Sequence, residues 1–267
     1  MTKKSIIITS ILCSILALLA ILFGVVFRLR KIEVVITDKS EIVLTNDDII
    51  SASQLKLNKS IFMLDKQSVM DNIENKYAEI KVVDIKTTSV TSVKIMVRKR
   101  VEMFYAEYNS NYYCLDEDLK VLRITEIEPV NLIKISAEKL NINSDTKEKM
   151  FLNKDLAKLT YNFFVAMYEN VKIDDDHYAE RADICNLVNS LDFETDYALT
   201  DNGNNAVKFI NLIVVTREGL KMQIASPEKD LGRKINICFA TYKKLEDKTA
   251  GKIVIKYDGT VAYYPTV

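Results

Sequence analysis

The most prominent hydrophobic pattern in the chain is an uninterrupted apolar run near its N-terminus. Ser5–Phe27 holds 23 residues with no charge, no proline and one glycine. A helix needs about 20 apolar residues to cross the hydrocarbon core of a bilayer. The run therefore predicts one transmembrane helix over residues 5–27. It is longer than the apolar part of a signal peptide and ends in Val25-Val26-Phe27-Arg28, so we expect it to remain uncleaved.

The charges beside this run leave its orientation open. Lys3 and Lys4 precede the run, and Arg28, Arg30 and Lys31 follow it. The cytoplasmic side is expected to carry more positive charge, but the two sides of the run carry nearly equal positive charge. A short cytoplasmic arm, residues 1–4, with a long domain on the outer side suits these lengths, but the charges alone also allow the opposite topology.

After the run, the hydrophobic periodicity predicts elements in the order β-α-α-β-β. Lys31–Thr37 is rich in β-branched residues and predicts a strand. Thr45 followed by Asp48 predicts a capped helix start, and Asp65 can cap a second helix. Apolar residues then occupy alternate positions of two strands, at Val83, Ile85, Val93, Ile95 and Val97. We expect residues 28–98 to form a small α+β domain, with two helices packed on a three-stranded sheet.

The rest of the chain, residues 99–267, alternates between predicted hairpins and amphipathic helices. Hairpins are expected over Phe104–Leu115 and around the turn glycine Gly219. Apolar residues at helical spacing over Leu152–Val171, and again from Leu231 to Tyr242, predict two helices. The strongest hairpin signal is Asp258-Gly259 between two β-rich segments. The sequence thus predicts a mostly antiparallel β domain with flanking helices.

Composition and cysteine usage exclude several classes of protein. Lys and Arg total 37, as do Asp and Glu, so no basic excess points to nucleic acid. Cys114, Cys185 and Cys238 lie outside the apolar run at spacings unlike those of a zinc site. Their odd number argues against a disulfide framework. We expect them to be small buried apolar side chains.

Motifs for catalysis or metal binding are absent from the sequence. There is no phosphate-binding loop, dinucleotide fingerprint, zinc-protease helix or nucleophile elbow. The single histidine, His177, follows three aspartates, which are better explained as a solvated loop or an acidic helix start. Asp201–Asn205 lacks the spaced carboxylates of a calcium loop and predicts a turn. We therefore expect no enzyme activity, no metal, no cofactor and no small-molecule substrate.

Five segments of the chain carry a further pattern: Leu57–Asp65, Ile80–Ile85, Val93–Arg100, Tyr113–Leu122 and Gly251–Asp258. Together they resemble the FtsQ/DivIB family of bacterial cell-division proteins. Leu57–Asp65 resembles the link between the two helices of its POTRA domain. Ile80–Ile85 and Val93–Arg100 resemble the strand pair that follows. Tyr113–Leu122 resembles a strand-turn-strand motif of the second domain, and Gly251–Asp258 resembles the family's last strand. The order and spacing of these segments carry the resemblance, which covers nearly the whole chain.

Several positions depart from the family pattern, which marks a divergent member. Lys99 stands where glutamate is usual, and Val101-Glu102 replaces the customary Pro-Val. Asp118 replaces a turn glycine, and Val254 replaces an aspartate. The early Val-x-Gly-Asn motif is also missing, with Ile36-Thr37-Asp38-Lys39 in its place.

The resemblance implies a non-enzymatic scaffold of the septum, anchored in the cell membrane by a single span. In this family the N-terminus is cytoplasmic and the folded domains are extracytoplasmic. The implied partners are bitopic proteins like FtsB/DivIC and FtsL, which connect the scaffold to septal peptidoglycan synthesis.

The final hairpin is the candidate site for such a partner. A last strand often ends a sheet. Charges and prolines commonly blunt such exposed edges, but Thr260–Tyr264 contains neither, and Pro265 comes only after it. A segment of the partner could add to this edge as a further strand. The candidate partner-binding residues are Lys256, Tyr257, Thr260, Val261, Ala262, Tyr263 and Tyr264. Alternatively, the tyrosines simply cover the hairpin's own face.

Two other classes of function remain open at this point. One is a membrane-anchored extracytoplasmic receptor or accessory domain, in which only the POTRA-like half is meaningful and the ligand is unrelated. Co-purification of a bitopic coiled-coil partner would separate it from the division scaffold. The other is an anchored hydrolase, whose nucleophile and base are hard to assemble around one histidine. Activity of a His177→Ala variant would test it.

Overall fold

A computed structural model describes residues 11–18, 26–37, 43–174, 176–199 and 206–265. The chain divides into two compact units, Met1–Arg100 and Val101–Val267. Each unit is described by itself below.

The expected fold class is wrong about the transmembrane helix predicted over residues 5–27. Among the described residues, no helix is both long enough and apolar enough to cross a membrane. Within the predicted span the structure describes helix α1, residues 11–18. The rest of the prediction, at 5–10 and 19–25, lies outside the described residues.

The first unit contains the β-α-α-β-β order that the periodicity predicts. Its elements are β1 (Lys31–Ile36), α2 (Asn46–Ser53), a 3-10 turn (Ile61–Met63), α3 (Lys66–Lys76), β2 (Ile80–Ser89) and β3 (Ser92–Lys99). The strand order is β1-β3-β2, in which β1 runs parallel and β2 antiparallel to the central β3.

The helix starts of this unit follow from local side-chain hydrogen bonds. The Thr45 hydroxyl accepts from the Asp48 backbone N–H at 3.3 Å, and the Asp48 carboxylate accepts from the Thr45 N–H at 2.9 Å. Asp65 accepts from the Ser68 N–H at 3.2 Å and so caps α3. These bonds satisfy backbone donors that the first helical turn leaves without partners, and they confirm both predicted helix starts.

The core of the first unit lies between the helices and one face of the sheet. Val93, Ile95 and Val97 are fully buried on β3, and Ile49 and Ile73 meet them from α2 and α3. Alternate positions of one strand therefore face the helices, as a period of two requires.

In its described residues, the second unit contains a nine-stranded sheet and three helices. Its elements are β4 (Phe104–Tyr108), β5 (Asn111–Leu115), β6 (Val121–Thr125), β7 (Ile133–Ile135), α4 (Lys154–Asn170), α5 (Arg181–Leu187), β8 (Val188–Leu199), β9 (Ala206–Thr216), β10 (Lys221–Ala225), α6 (Leu231–Lys244), β11 (Lys252–Ile255) and β12 (Val261–Tyr264). The strand order is β12-β11-β10-β9-β8-β7-β4-β5-β6.

The expectation of a mostly antiparallel sheet agrees with the described strands, because five of the eight strand pairs are antiparallel. The remaining three pairs make the sheet mixed. Strands β4 and β7, β7 and β8, and β10 and β11 pair in parallel. Two of these parallel pairs follow from crossovers: α4 and α5 lie between β7 and β8, and α6 lies between β10 and β11. A crossover helix returns the chain to the same end of the sheet, so the next strand runs in the same direction.

The three cysteines predicted to be apolar core residues are free and buried. Cys238 lies on α6 in the main core of the second unit, beside the buried Phe239 and Ile235. Burial raises the pKa of the Cys238 thiol to about 12 and that of Cys114 to about 11. Both groups are therefore neutral thiols near neutral pH.

Candidate functional site

The final hairpin places β12 at one end of the nine-stranded sheet. β12 pairs antiparallel with β11, in the register Ile255 opposite Val261 and Ile253 opposite Tyr263. Its other side has no strand neighbour within the described part of the second unit. The sheet therefore ends where the sequence predicts an open edge.

Helix α6 and strand β10 fix the position of this hairpin. α6 crosses from β10 to β11 and buries Ile235, Cys238 and Phe239 against the sheet. On β11, Ile253 and Ile255 are fully buried. The strand that supports β12 is thus part of the main core, and it offers the edge strand a rigid partner.

A short turn closes the hairpin. The Asp258 carboxylate accepts from the Thr260 backbone N–H at 2.9 Å and from its hydroxyl at 2.7 Å. The bonds from Thr260 hold the pKa of Asp258 below its ordinary value of 3.8. Gly259 takes a φ of 83°, which a glycine adopts without strain.

The ladder between β11 and β12 determines which backbone groups face outward. The Lys256 N–H donates to the Thr260 carbonyl at 2.9 Å, so this is a hydrogen-bonded pair. Such pairs alternate along an antiparallel ladder. In the observed register, Ala262 therefore bonds to β11, whereas the N–H and C=O of Val261 and Tyr263 point to the open edge.

The side chains of β12 are largely exposed. The exposed fractions are 45% for Val261, 36% for Tyr263 and 50% for Tyr264. Val261 and Tyr263 lie on the same sheet face as their buried partners Ile255 and Ile253. The edge therefore presents apolar and aromatic surface next to the outward backbone groups.

Of the tyrosines, Tyr263 is fixed by its own hairpin. Gly251 has a φ of 100°, and a Cβ at that position would lie 2.9 Å from the Tyr263 hydroxyl oxygen and 3.0 Å from the Tyr264 carbonyl oxygen. The Tyr263 ring thus occupies space that only a glycine leaves open. Part of the Tyr263 ring therefore covers its own hairpin, as the alternative interpretation expects. More than a third of Tyr263 nevertheless remains exposed.

Tyr257, at the turn, is held from two other elements. Its ring lies 6.2 Å from the ring of Phe209 on β9, with an interplanar angle of 60°. Lys229 donates to the Tyr257 hydroxyl at 3.2 Å, and this bond raises the lysine pKa. Tyr257 nevertheless stays 53% exposed, so its ring presents an ordered surface.

The opposite edge of the sheet is protected in ways that β12 is not. On β6, Arg123 forms a bidentate ion pair with Glu102 at 2.8 and 2.9 Å. The Val121 N–H donates to the Met150 carbonyl at 3.0 Å, so the segment around Met150 covers the start of the strand. Charge and cover are common means of blunting an edge. β12 is the better candidate for strand addition.

The other residues singled out in the sequence do not form a site. His177 Nε2 lies 3.2 Å from a carboxylate oxygen of Asp183, near the start of α5. Across the described residues, no group of three or more potential ligands could hold a metal ion. The turn predicted at 201–205 lies outside the described residues.

Two structural features of the second unit escaped the sequence analysis. Strand β8 was missed, although Leu191 and Phe193 alternate with polar residues and both are buried. The contact of Phe209 with Tyr257 was also missed, because it joins residues 48 positions apart in the chain. An alternating pattern can identify the first feature, but only the sheet order reveals the second.

Comparison with known proteins gives one partial similarity. No family model matches the chain. Over 95 residues, the chain is 34% identical to the cell division protein DivIB of Clostridium acetobutylicum. The match covers 35% of this chain and 37% of that protein. It supports the resemblance to the FtsQ/DivIB family that the sequence motifs carry.

Proposed function

We propose that this protein is a non-enzymatic scaffold of the bacterial division machinery, and that its β12 edge binds a division partner. The observation that carries the proposal is the uncharged open edge strand, in a chain with partial similarity to a DivIB protein. A strand with outward N–H and C=O groups is a template for strand addition.

The partner we propose is an extended segment of a bitopic protein like FtsB/DivIC, acting together with an FtsL-like protein. Its main chain would bond to Val261 and Tyr263, while Ala262 stays bonded to β11. Tyr257, Tyr263 and Tyr264 supply large amphipathic contacts of the kind enriched among binding hot spots. Lys256 adds a positive charge at the turn, and Thr260 keeps the turn closed through Asp258.

Placement of both folded units on the outer face of the cytoplasmic membrane belongs to the same proposal. Protease added to intact spheroplasts should digest residues 28–267. Full protection until lysis would contradict this placement.

The binding experiment changes one donor of the open edge. Val261→Pro removes the N–H that points outward and leaves the bonds between Ala262 and β11 in place, so an edge strand can accept it. Loss of one ladder hydrogen bond should weaken binding about tenfold. Val261→Thr keeps the N–H and the β-branched shape, so it is the matched control.

The assay is a calorimetric titration with a peptide covering the extracytoplasmic region of the FtsB/DivIC-like protein from the same genome. Circular dichroism establishes that each variant is folded. We expect tight binding for the unaltered protein and Val261→Thr, and weak binding for Val261→Pro. Equal affinities for all three would place the binding surface elsewhere.

A further inference from the structure

The first unit carries an exposed apolar and basic surface that the proposed partner site does not use. We define the 54–63 surface by Lys56, Leu57, Lys59, Phe62 and Met63. Three of these are large apolar side chains, with exposed fractions of 53% for Leu57, 61% for Phe62 and 82% for Met63. Neighbouring exposed apolar side chains are typical of interaction sites.

Backbone hydrogen bonds hold this surface in one conformation. The Leu29 N–H donates to the Lys59 carbonyl and the Asn58 N–H donates to the Leu29 carbonyl, both at 2.8 Å. The Ile61 N–H donates to the Phe27 carbonyl at 2.9 Å. The 54–63 surface is thus clamped along residues 27–29, and its apolar side chains protrude from an ordered segment.

An apolar groove adjoins Met63 and the two lysines of this surface. It has a volume of about 370 Å³ and lies between Leu29, Leu55, Ile61 and Leu64, with Lys56, Lys59 and Met63 among its lining residues. Lysines and apolar side chains therefore share one small area.

The two segments that form this area carry basic residues. Residues 26–30 and 54–64 contain Arg28, Arg30, Lys56 and Lys59, and neither segment contains an aspartate or glutamate. Exposed lysines around inserted apolar side chains are the combination with which peripheral proteins bind anionic bilayers.

One end of an uncharged stretch of sequence lies against this surface. The Phe62 ring packs against the Phe27 ring, with centroids 4.9 Å apart, and Phe27 is the last residue of the uncharged stretch that begins at Ser5. Phe62 of the 54–63 surface is therefore adjacent to the end of that stretch.

We propose that the 54–63 surface docks on an anionic lipid bilayer, with Leu57, Phe62 and Met63 inserted at the level of the headgroups. Lys56 and Lys59 then lie against lipid phosphates. Such a contact would fix the orientation of the first unit at a membrane surface. It is independent of the β12 edge and of the partner proposed there.

The test measures how deeply position 63 enters a bilayer in the full-length chain. A Cys13→Ser background leaves only buried native thiols, and Met63→Cys then receives an NBD fluorophore. Vesicles contain doxyl-labelled lipid in phosphatidylcholine, with or without phosphatidylglycerol. The matched control carries the label at Asn75→Cys, near the far end of α3, about 15 Å along the helix.

We expect quenching at position 63 in the anionic vesicles and little quenching at position 75. Lys56→Gln with Lys59→Gln should lower the docking equilibrium constant roughly 25-fold. Lys154→Gln with Lys158→Gln removes the same charge from exposed positions of α4 and should leave it unchanged.

Three results would overturn the proposal. Absence of quenching at position 63 would assign the surface to a different partner, such as a protein. Equal quenching at positions 63 and 75 would mean that the unit merely lies near the bilayer. Equal effects of the two lysine pairs would rule out specific contact of Lys56 and Lys59 with the headgroups.

Discussion

Replacing Gly251 by alanine should loosen the edge strand without disturbing the core beneath it. Gly251 directly precedes β11, and its φ of 100° is strained for any residue with a Cβ. The added methyl group would lie 2.9 Å from the Tyr263 hydroxyl oxygen and 3.0 Å from the Tyr264 carbonyl oxygen. The ring and the backbone of β12 must therefore both move.

The size of the effect follows from two contributions. A residue with a Cβ at positive φ costs about 1–2 kcal/mol, and forcing a methyl group into an occupied space costs about 1–3 kcal/mol more. Gly259→Ala is the matched control, because Gly259 has a φ of 83° and no atom within 4 Å of the added Cβ. This control carries only the first contribution.

Hydrogen exchange of the Ala262 amide, which β11 protects, measures local opening of the hairpin. In Gly251→Ala we expect protection to fall about 5- to 140-fold further than in Gly259→Ala, because the additional cost of about 1–3 kcal/mol converts at about 1.4 kcal/mol per factor of ten. Equal protection in the two variants would refute the packing of Tyr263 on Gly251.

Three further predictions concern the core, the turn and the thiols. Ile255→Ala removes a fully buried side chain and should lower the unfolding free energy of the second unit by about 2–5 kcal/mol in urea, whereas exposed Val261→Ala should change it by less than about 1 kcal/mol. The pKa of Asp258 is lowered in the folded protein, so its stabilisation of the turn is present above its ordinary pKa of 3.8 and is lost as the pH falls through the folded value. Hydrogen exchange of the β12 amides should therefore become faster in acid relative to unfolded peptide, and Asp258→Asn should abolish this acid-dependent change. Iodoacetamide at neutral pH should modify Cys13 and spare the buried thiols Cys114, Cys185 and Cys238, which peptide mass spectrometry can check before and after denaturation.

Local patterns predicted the helix starts and the buried face of β3 in the first unit. They did not predict the irregularity in β2, which buries Val82 and leaves the predicted core residue Val83 44% exposed. The capping residues Thr45 and Asp65 sit next to the helices they start, and the alternation of Val93, Ile95 and Val97 appears directly as one buried face of β3. Each of these signals acts within a few residues, so the sequence carries it without knowledge of the fold.

The directions of strands in the second unit were harder to predict. Whether β11 runs parallel or antiparallel to β10 depends on how α6 crosses the sheet, and no local pattern reports that. The edge position of β12 was predicted from its place at the end of the sequence pattern. Its outward amides depend on the bond from Lys256 to Thr260, which fixes the phase of the ladder and is visible only in the structure.

The most direct test of the proposed function is amide hydrogen exchange on β12, with and without the FtsB/DivIC-like peptide. If the peptide adds as a strand, the outward amides of Val261 and Tyr263 should become protected, whereas Ala262, already bonded to β11, should change little. Protection confined to other strands, or unchanged exchange at Val261 and Tyr263 under saturating peptide, would contradict strand addition at this edge.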